Sequence, residues 1–371
     1  MRTAAKTAVM ALLIVCTALL AGPAALAVDW DEYGLGLGTE DVERAVPNSA
    51  SELMDGVDIS VGENYAGAAE RIFKRAIGSL GGILRSAARS ATLILMAATL
   101  CSVASAVYSP TDGGFDYVQL AGVLAVAVIS AGDIRSCVGL GRSTILELSD
   151  FSRVLLPCLT STAAVSGAVT SAAAKYAASA LFMDILLTGV EAVVIPLIYA
   201  YMAALIAECA IGGQTLSGVA SFLKWMATGA LTLLVLAFVI YLSISGIVSG
   251  SADAATVRVA KTALSTTLPV VGGIISDAAN TVLVGASLLK SSVGVFGLLA
   301  VLAVCLVPVL KLGGHYLMYK LASRLSEAIS GGKTAKAAGG IGGAFGIIMG
   351  ATGACAMMLF FSILSFVQAV I

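Results

Sequence analysis

The sequence predicts an all-α, polytopic transmembrane protein. Hydrophobic residues make up 59% of its 371 residues and charged residues only 12%, against about 25% charge in a soluble domain. Residues 225–249 carry no charge, and from 335 to 371 the only charge is Lys336. A helix rising 1.5 Å per residue crosses a bilayer core in about 20 residues. These runs are therefore membrane segments, and any function works at, in or across a bilayer.

The chain opens on a predicted signal peptide, residues 1–27. Arg2 and Lys6 form a basic start, 8–21 is a short apolar run, and Gly22 and Pro23 break it. Ala25-Leu26-Ala27 has the small-x-small form that signal peptidase reads, placing cleavage between Ala27 and Val28. Residues 28–64 hold ten carboxylates from Asp29 to Glu63 against Arg44 alone. That composition buries no core and reads as an acidic flexible linker. Residues 65–90 read as a basic amphipathic helix. Ile72, Phe73, Ala76, Ile77, Leu80, Ile83, Leu84 and Ala87 recur at helical spacing, with Arg71, Lys74, Arg75, Arg85 and Arg89 mainly off that face. Such a helix fits an anionic membrane surface, or packing on the rest of the protein.

Residues 91–371 form the polytopic domain. Its apolar elements are 91–108, 117–132, 154–174, 177–211, 225–248, 293–311 and 339–371, the first two a helical hairpin (91–132). The stretch 177–211 would reach about 52 Å as a helix, longer than a bilayer core. Helix breaks are expected at Pro157, Pro196, Pro269 and Pro308. Leu156-Pro157 and Leu268-Pro269 are 112 residues apart, as are Pro196 and Pro308, and Ala-Thr-Gly-Ala recurs at 227–230 and 351–354. The spacing points to a duplication, with repeat 1 at 154–248 and repeat 2 at 266–371. In the last helix Gly342, Gly346 and Gly350 share one face. Without Cβ bulk they admit a close helix partner, in this chain or another copy.

Two topology signals disagree. The lysines and arginines of 311–336, and Arg135, Arg142 and Arg153 in an expected loop at 133–153, mark both regions as cytoplasmic. Counting spans back puts the basic helix inside, whereas the signal peptide puts it outside. One apolar element must be re-entrant or interfacial, with 154–174 and 266–289 the least hydrophobic.

Ionisable groups in apolar spans usually face a cavity or a partner. Asp184, Glu191, Glu208, Asp277, Asn280 and Lys290 are thus candidates for a pore or polar path, or for interfacial placement. Lys290 could pair with Asp277 or snorkel to headgroups. The cysteines read as small hydrophobes. His315, the single histidine, has no cysteine or carboxylate at metal spacing, so no metal site is expected. No Walker loop, His-Glu-x-x-His or nucleophile elbow is present. The sequence predicts no cofactor and no enzymatic activity, and its net charge of −1 suggests no nucleic-acid partner.

The run from Leu268 through Pro269, Val270, Val271, Gly272, Gly273, Ser276, Asp277 and Ala278, followed by Ser287-Leu288-Leu289-Lys290 and Val293-Gly294, resembles the stage III sporulation protein AE family. Leu156-Pro157, Ser166-Gly167 and 170–173 resemble its first half. Asn280 departs from an expected acidic residue, and 326–336 from an expected Pro-Leu-Gly-Asp type of loop. The resemblance implies an integral component of a secretion-like channel complex in the mother-cell membrane around the forespore, needed after engulfment. Implied partners are a secretion-type ATPase, ring-forming proteins, a forespore membrane protein across the intermembrane space, and the lipid bilayer. The residues themselves leave two rivals open: a stand-alone secondary transporter of a small solute, and a non-transporting assembly scaffold.

Overall fold

The computed structural model describes residues 38–57, 59, 65–107, 117–166, 169–211, 214–267, 272–330 and 332–368, and the side chains of 242–290 lie outside that description. The cleavage site at Ala27–Val28 and the expected break at Pro269 lie outside the described residues. Among the described residues every element is helical. In order these are α1 (Thr39–Arg44), α2 (Asn48–Met54), α3 (Tyr65–Val107), α4 (Tyr117–Val165), α5 (Val169–Gly189), α6 (Ile195–Ile211), α7 (Gln214–Thr267), α8 (Gly272–Ser330) and α9 (Gly332–Gln368). A π-helical turn, Val190–Val194, joins α5 to α6.

Among the described residues, six stretches are long and apolar enough to cross a membrane: Gly67–Val107, Tyr117–Val165, Ala172–Ile211, Thr215–Tyr241, Ser291–Ile329 and Gly332–Val367. Hydrocarbon offers backbone groups no partner, so each span bonds within itself. Hydroxyls follow the same constraint. Thr92, Thr144, Thr160, Thr232 and Thr352 each donate to the carbonyl four residues earlier.

Element boundaries differ from those that hydropathy marks. Residues 65–90 and 91–107 form one helix, α3. The charged segment 133–153 is not a loop: α4 runs through it. The apolar element 154–174 is not one unit, because α4 ends at Val165 and α5 starts at Val169. Pro157 and Pro308 do not break their helices but lie inside them. Proline removes one donor and crowds one carbonyl, a defect that packed neighbours in a bilayer tolerate. At Pro196 the strain is taken up by the π turn just before it. The Ile195 N–H donates to the Val190 carbonyl, five residues back, and the wider turn makes room for the ring.

The acidic segment is more structured over 39–59 than its composition predicts. Val42, Ala50, Leu53, Met54, Val57 and Ile59 are buried. α1 packs on α4, and α2 on α3 and α8. The Ser49 hydroxyl donates to the Glu147 carboxylate, and Arg75 to the Glu52 carbonyl at 2.6 Å. Gly56, at φ 75°, turns the chain after α2, a backbone state that favours glycine. On α3 the two expected settings divide one face between them. Ile72, Ala76 and Ala87 are buried, while Phe73, Ile77 and Leu84 are exposed beside the basic side chains.

The core is built around α9, which packs against each of α3 to α8. A Cβ placed at Gly342 would lie 3.0 Å from Tyr319 Cβ and 3.6 Å from the Lys320 backbone nitrogen. One placed at Gly346 would lie 3.2 Å from the Tyr316 ring, whereas Gly350 faces open space. The partner for the first two glycines is thus α8 of the same chain. Elsewhere Gly141 of α4 admits Ile348, and Gly294 of α8 admits Val367. Gly342→Leu should force α8 and α9 apart at a cost of about 1–3 kcal/mol. Gly350→Leu should leave stability within about 0.5 kcal/mol or raise it. Thermal unfolding of the purified protein in detergent checks both; equal losses would contradict the assigned partner.

Candidate functional site

Two groups of polar side chains lie inside the apolar bundle. The first joins α4 to α8. Lys311, His315 and Tyr319 occupy one face of α8, four residues apart. Tyr319 is fully buried and donates its hydroxyl to Asp133 Oδ2 at 2.7 Å. His315 is 2% exposed. Its Nδ1 is 2.9 Å from the Lys311 carbonyl, and its Nε2 lies 3.9 Å from Asp133 Oδ1. The Phe345 ring of α9 meets both rings edge-on, with centroids 5.9 Å from His315 and 5.0 Å from Tyr319. Ser130, one turn from Asp133, is buried beside the Tyr319 hydroxyl.

The second group surrounds the first turns of α9. Lys336 donates to Glu208 of α6, whose side chain is only 7% exposed. Lys320 of α8 donates to the Gly339 carbonyl at 2.7 Å, the Tyr201 hydroxyl of α6 to the Gly340 carbonyl at 3.1 Å, and Ser323 to the Ala335 carbonyl at 2.8 Å. Glycine leaves its carbonyl uncovered, so the Gly339 and Gly340 oxygens accept a side-chain donor besides their helical bond. Lys224 of α7 reaches the same place, its Nζ 3.3 Å from where a Gly343 Cβ would sit.

Of the residues expected to form a polar path, Asp184, Glu191 and Glu208 have described side chains, and these three are not brought together. Glu191, in the π turn, pairs with Arg142 of α4 at 2.9 Å. Asp184 is exposed on α5, without a hydrogen bond or ion pair among the described residues. Glu208 belongs to the α9 group instead. Asp277, Asn280 and Lys290 lie on α8, where their side chains fall outside the described residues. Asp133, His315 and Tyr319 were not singled out together from the sequence. The four-residue spacing of Lys311, His315 and Tyr319 was a usable sign, but Asp133 fell in the segment expected to be a loop.

Neither group has the arrangement of a nucleophile with its base, and no cluster of metal-ligating side chains occurs among the described residues. What the groups can do is hold charge and protons between helices. Lys336→Ala would leave a buried carboxylate without its cation, at an expected cost of about 1–3 kcal/mol. Adding Glu208→Gln should recover most of that loss in detergent melts. Equal losses with and without Glu208→Gln would show that the pair is uncoupled.

Comparison with known proteins places this architecture. Residues 61–369 match the family described as Stage III sporulation protein AE. The chain is similar to stage III sporulation protein AE of Bacillus subtilis (strain 168), with 25% identity over 209 residues, 56% of this chain and 52% of that protein. The chain thus spans about half the length of the curated relative it matches. No solved structure matches. The family match takes in all six apolar helices and both polar groups, and the chain belongs to the stage III sporulation protein AE family.

Proposed function

We propose that this protein is an integral membrane component of the secretion-like channel complex between mother cell and forespore, needed for forespore development after engulfment. The observation that carries this is the family match over 61–369. Six helices long enough to span a bilayer support a multi-pass component of the mother-cell membrane. Its proposed partners are a secretion-type ATPase, ring-forming proteins, a forespore membrane protein and the bilayer itself. The outward face of α3 suits such contacts: Phe73, Ile77 and Leu84 are exposed beside Arg71, Lys74, Arg75, Arg85 and Arg89. Apolar and basic groups together fit an anionic membrane surface. The protein works without catalysis of its own.

The rival reading, a stand-alone secondary transporter, draws on one observation, the ionisable pairs held inside apolar helices. Deleting the gene in its native host decides between them. The channel-component reading expects arrest after engulfment, with a small forespore and a silent late forespore reporter. Normal spores would overturn it. Saturable uptake of a small solute by the purified protein alone in liposomes would favour the transporter.

A further inference from the structure

We infer that Asp133 and His315 form a proton-binding site between α4 and α8, which takes up one proton on one residue or the other. The site follows from the geometry between the two helices, whichever complex the protein serves. A carbonyl oxygen only accepts, so the contact of Nδ1 with the Lys311 carbonyl at 2.9 Å makes Nδ1 the donor. That contact fixes the tautomer. Nε2 is then the nitrogen with the free lone pair, and it faces Asp133 Oδ1 at 3.9 Å. The other carboxylate oxygen, Oδ2, is held by the Tyr319 hydroxyl at 2.7 Å.

Two protonated forms suit this arrangement. In one, an imidazolium faces a carboxylate. In the other, a neutral imidazole accepts from a carboxylic acid. With the proton gone, a nitrogen lone pair faces an anionic oxygen, and both side chains are largely withdrawn from solvent, 3% and 19% exposed. Burial of an uncompensated charge is costly. The separation is about 1 Å beyond a hydrogen bond. Gaining the proton favours closing that gap, and losing it favours opening it. Proton occupancy therefore sets how closely α4 and α8 approach at this level.

The groups facing the pair are few. From α4 come Ser130 and the Cys137 thiol, which lies within the fields of Asp133 and Lys311. α8 supplies Lys311 and Tyr319, and α9 supplies the uncharged Phe345 ring. From α3, Ile83 lies beside Gly314. Lys311, one turn before His315 on α8, is the cation among these groups.

His315 is the only histidine in the chain, so an imidazole spectrum contains a single residue. The full-length, tag-free protein, labelled with nitrogen-15 histidine, would be placed in lipid nanodiscs and titrated by NMR from pH 4 to 10. The expected result is an Nδ1–H tautomer at the alkaline end and one titration. Its midpoint should move by about one pH unit or more in Asp133→Asn. Tyr319→Phe, which keeps the ring, should move it by less. An Nε2–H tautomer, an unmoved midpoint in Asp133→Asn, or no titration in any variant would overturn the site. Should Asp133→Asn fail to fold, the wild-type tautomer and the Tyr319→Phe comparison decide alone.

Discussion

The approach of α9 to α8 is the contact on which the rest of the bundle depends. At Gly342 a side chain's first carbon would already press on Tyr319 and come close to the backbone of Lys320. Two helices at that separation exchange dispersion contacts along their length, and in a bilayer such contacts, with hydrogen bonds, replace the hydrophobic drive available in water. The narrow α9 can then be surrounded. α3, α4, α5, α6 and α7 each reach it beside α8, and Ala337, Ala338, Ala344 and Ala351 are buried on its surface. A bulkier central helix would hold at least some of these neighbours off.

Glycine has a second consequence here. It uncovers backbone oxygen, and the carbonyls of Gly339 and Gly340 accept from Lys320 and Tyr201. Both donors come from helices that pack against α9. Close approach and polar anchoring are thus the same feature seen twice. Together they explain why an apolar chain keeps lysine and tyrosine at these positions.

The helices themselves were legible because hydropathy reports length in hydrocarbon directly, and all six spans fall on apolar runs identified from the sequence. Their limits were not legible. Hydropathy marks where the bilayer ends, whereas a helix continues as long as its backbone bonds do. Hence Arg135, Arg142 and Arg153 suggested a loop but lie on α4, and the basic segment at 65–90 runs unbroken into the next span. Prolines suggested breaks, yet of Pro157, Pro196 and Pro308, the three of these that are described, only Pro196 coincides with a departure from the α-helix, and a π turn rather than a split results. The polar groups were hardest to foresee, because their members are remote in sequence. Tyr319 and Asp133 are 186 residues apart, Lys336 and Glu208 128 apart. No local pattern encodes such a pair.

Those remote pairs answer a difficulty that an apolar bundle creates for itself. Dispersion between smooth helices changes little as one slides along another, so packing alone specifies register weakly. A buried hydrogen bond is directional and is lost within an ångström or so of displacement. The bundle places such bonds between different pairs of helices. Tyr319 and Asp133 tie α8 to α4, and Lys336 and Glu208 tie α9 to α6. Lys175 reaches the Ser365 carbonyl at 2.7 Å and Ser179 meets Ser362, tying α5 to α9. Each such bond between membrane helices contributes only about 0.6–2 kcal/mol, too little to hold the fold together by itself. Its effect is on choice among arrangements that would otherwise be nearly equal in energy, a use of buried polar groups best attested where register must be fixed. Three of these ties end on α9, so the helix that makes close packing possible is also the one against which its neighbours are aligned.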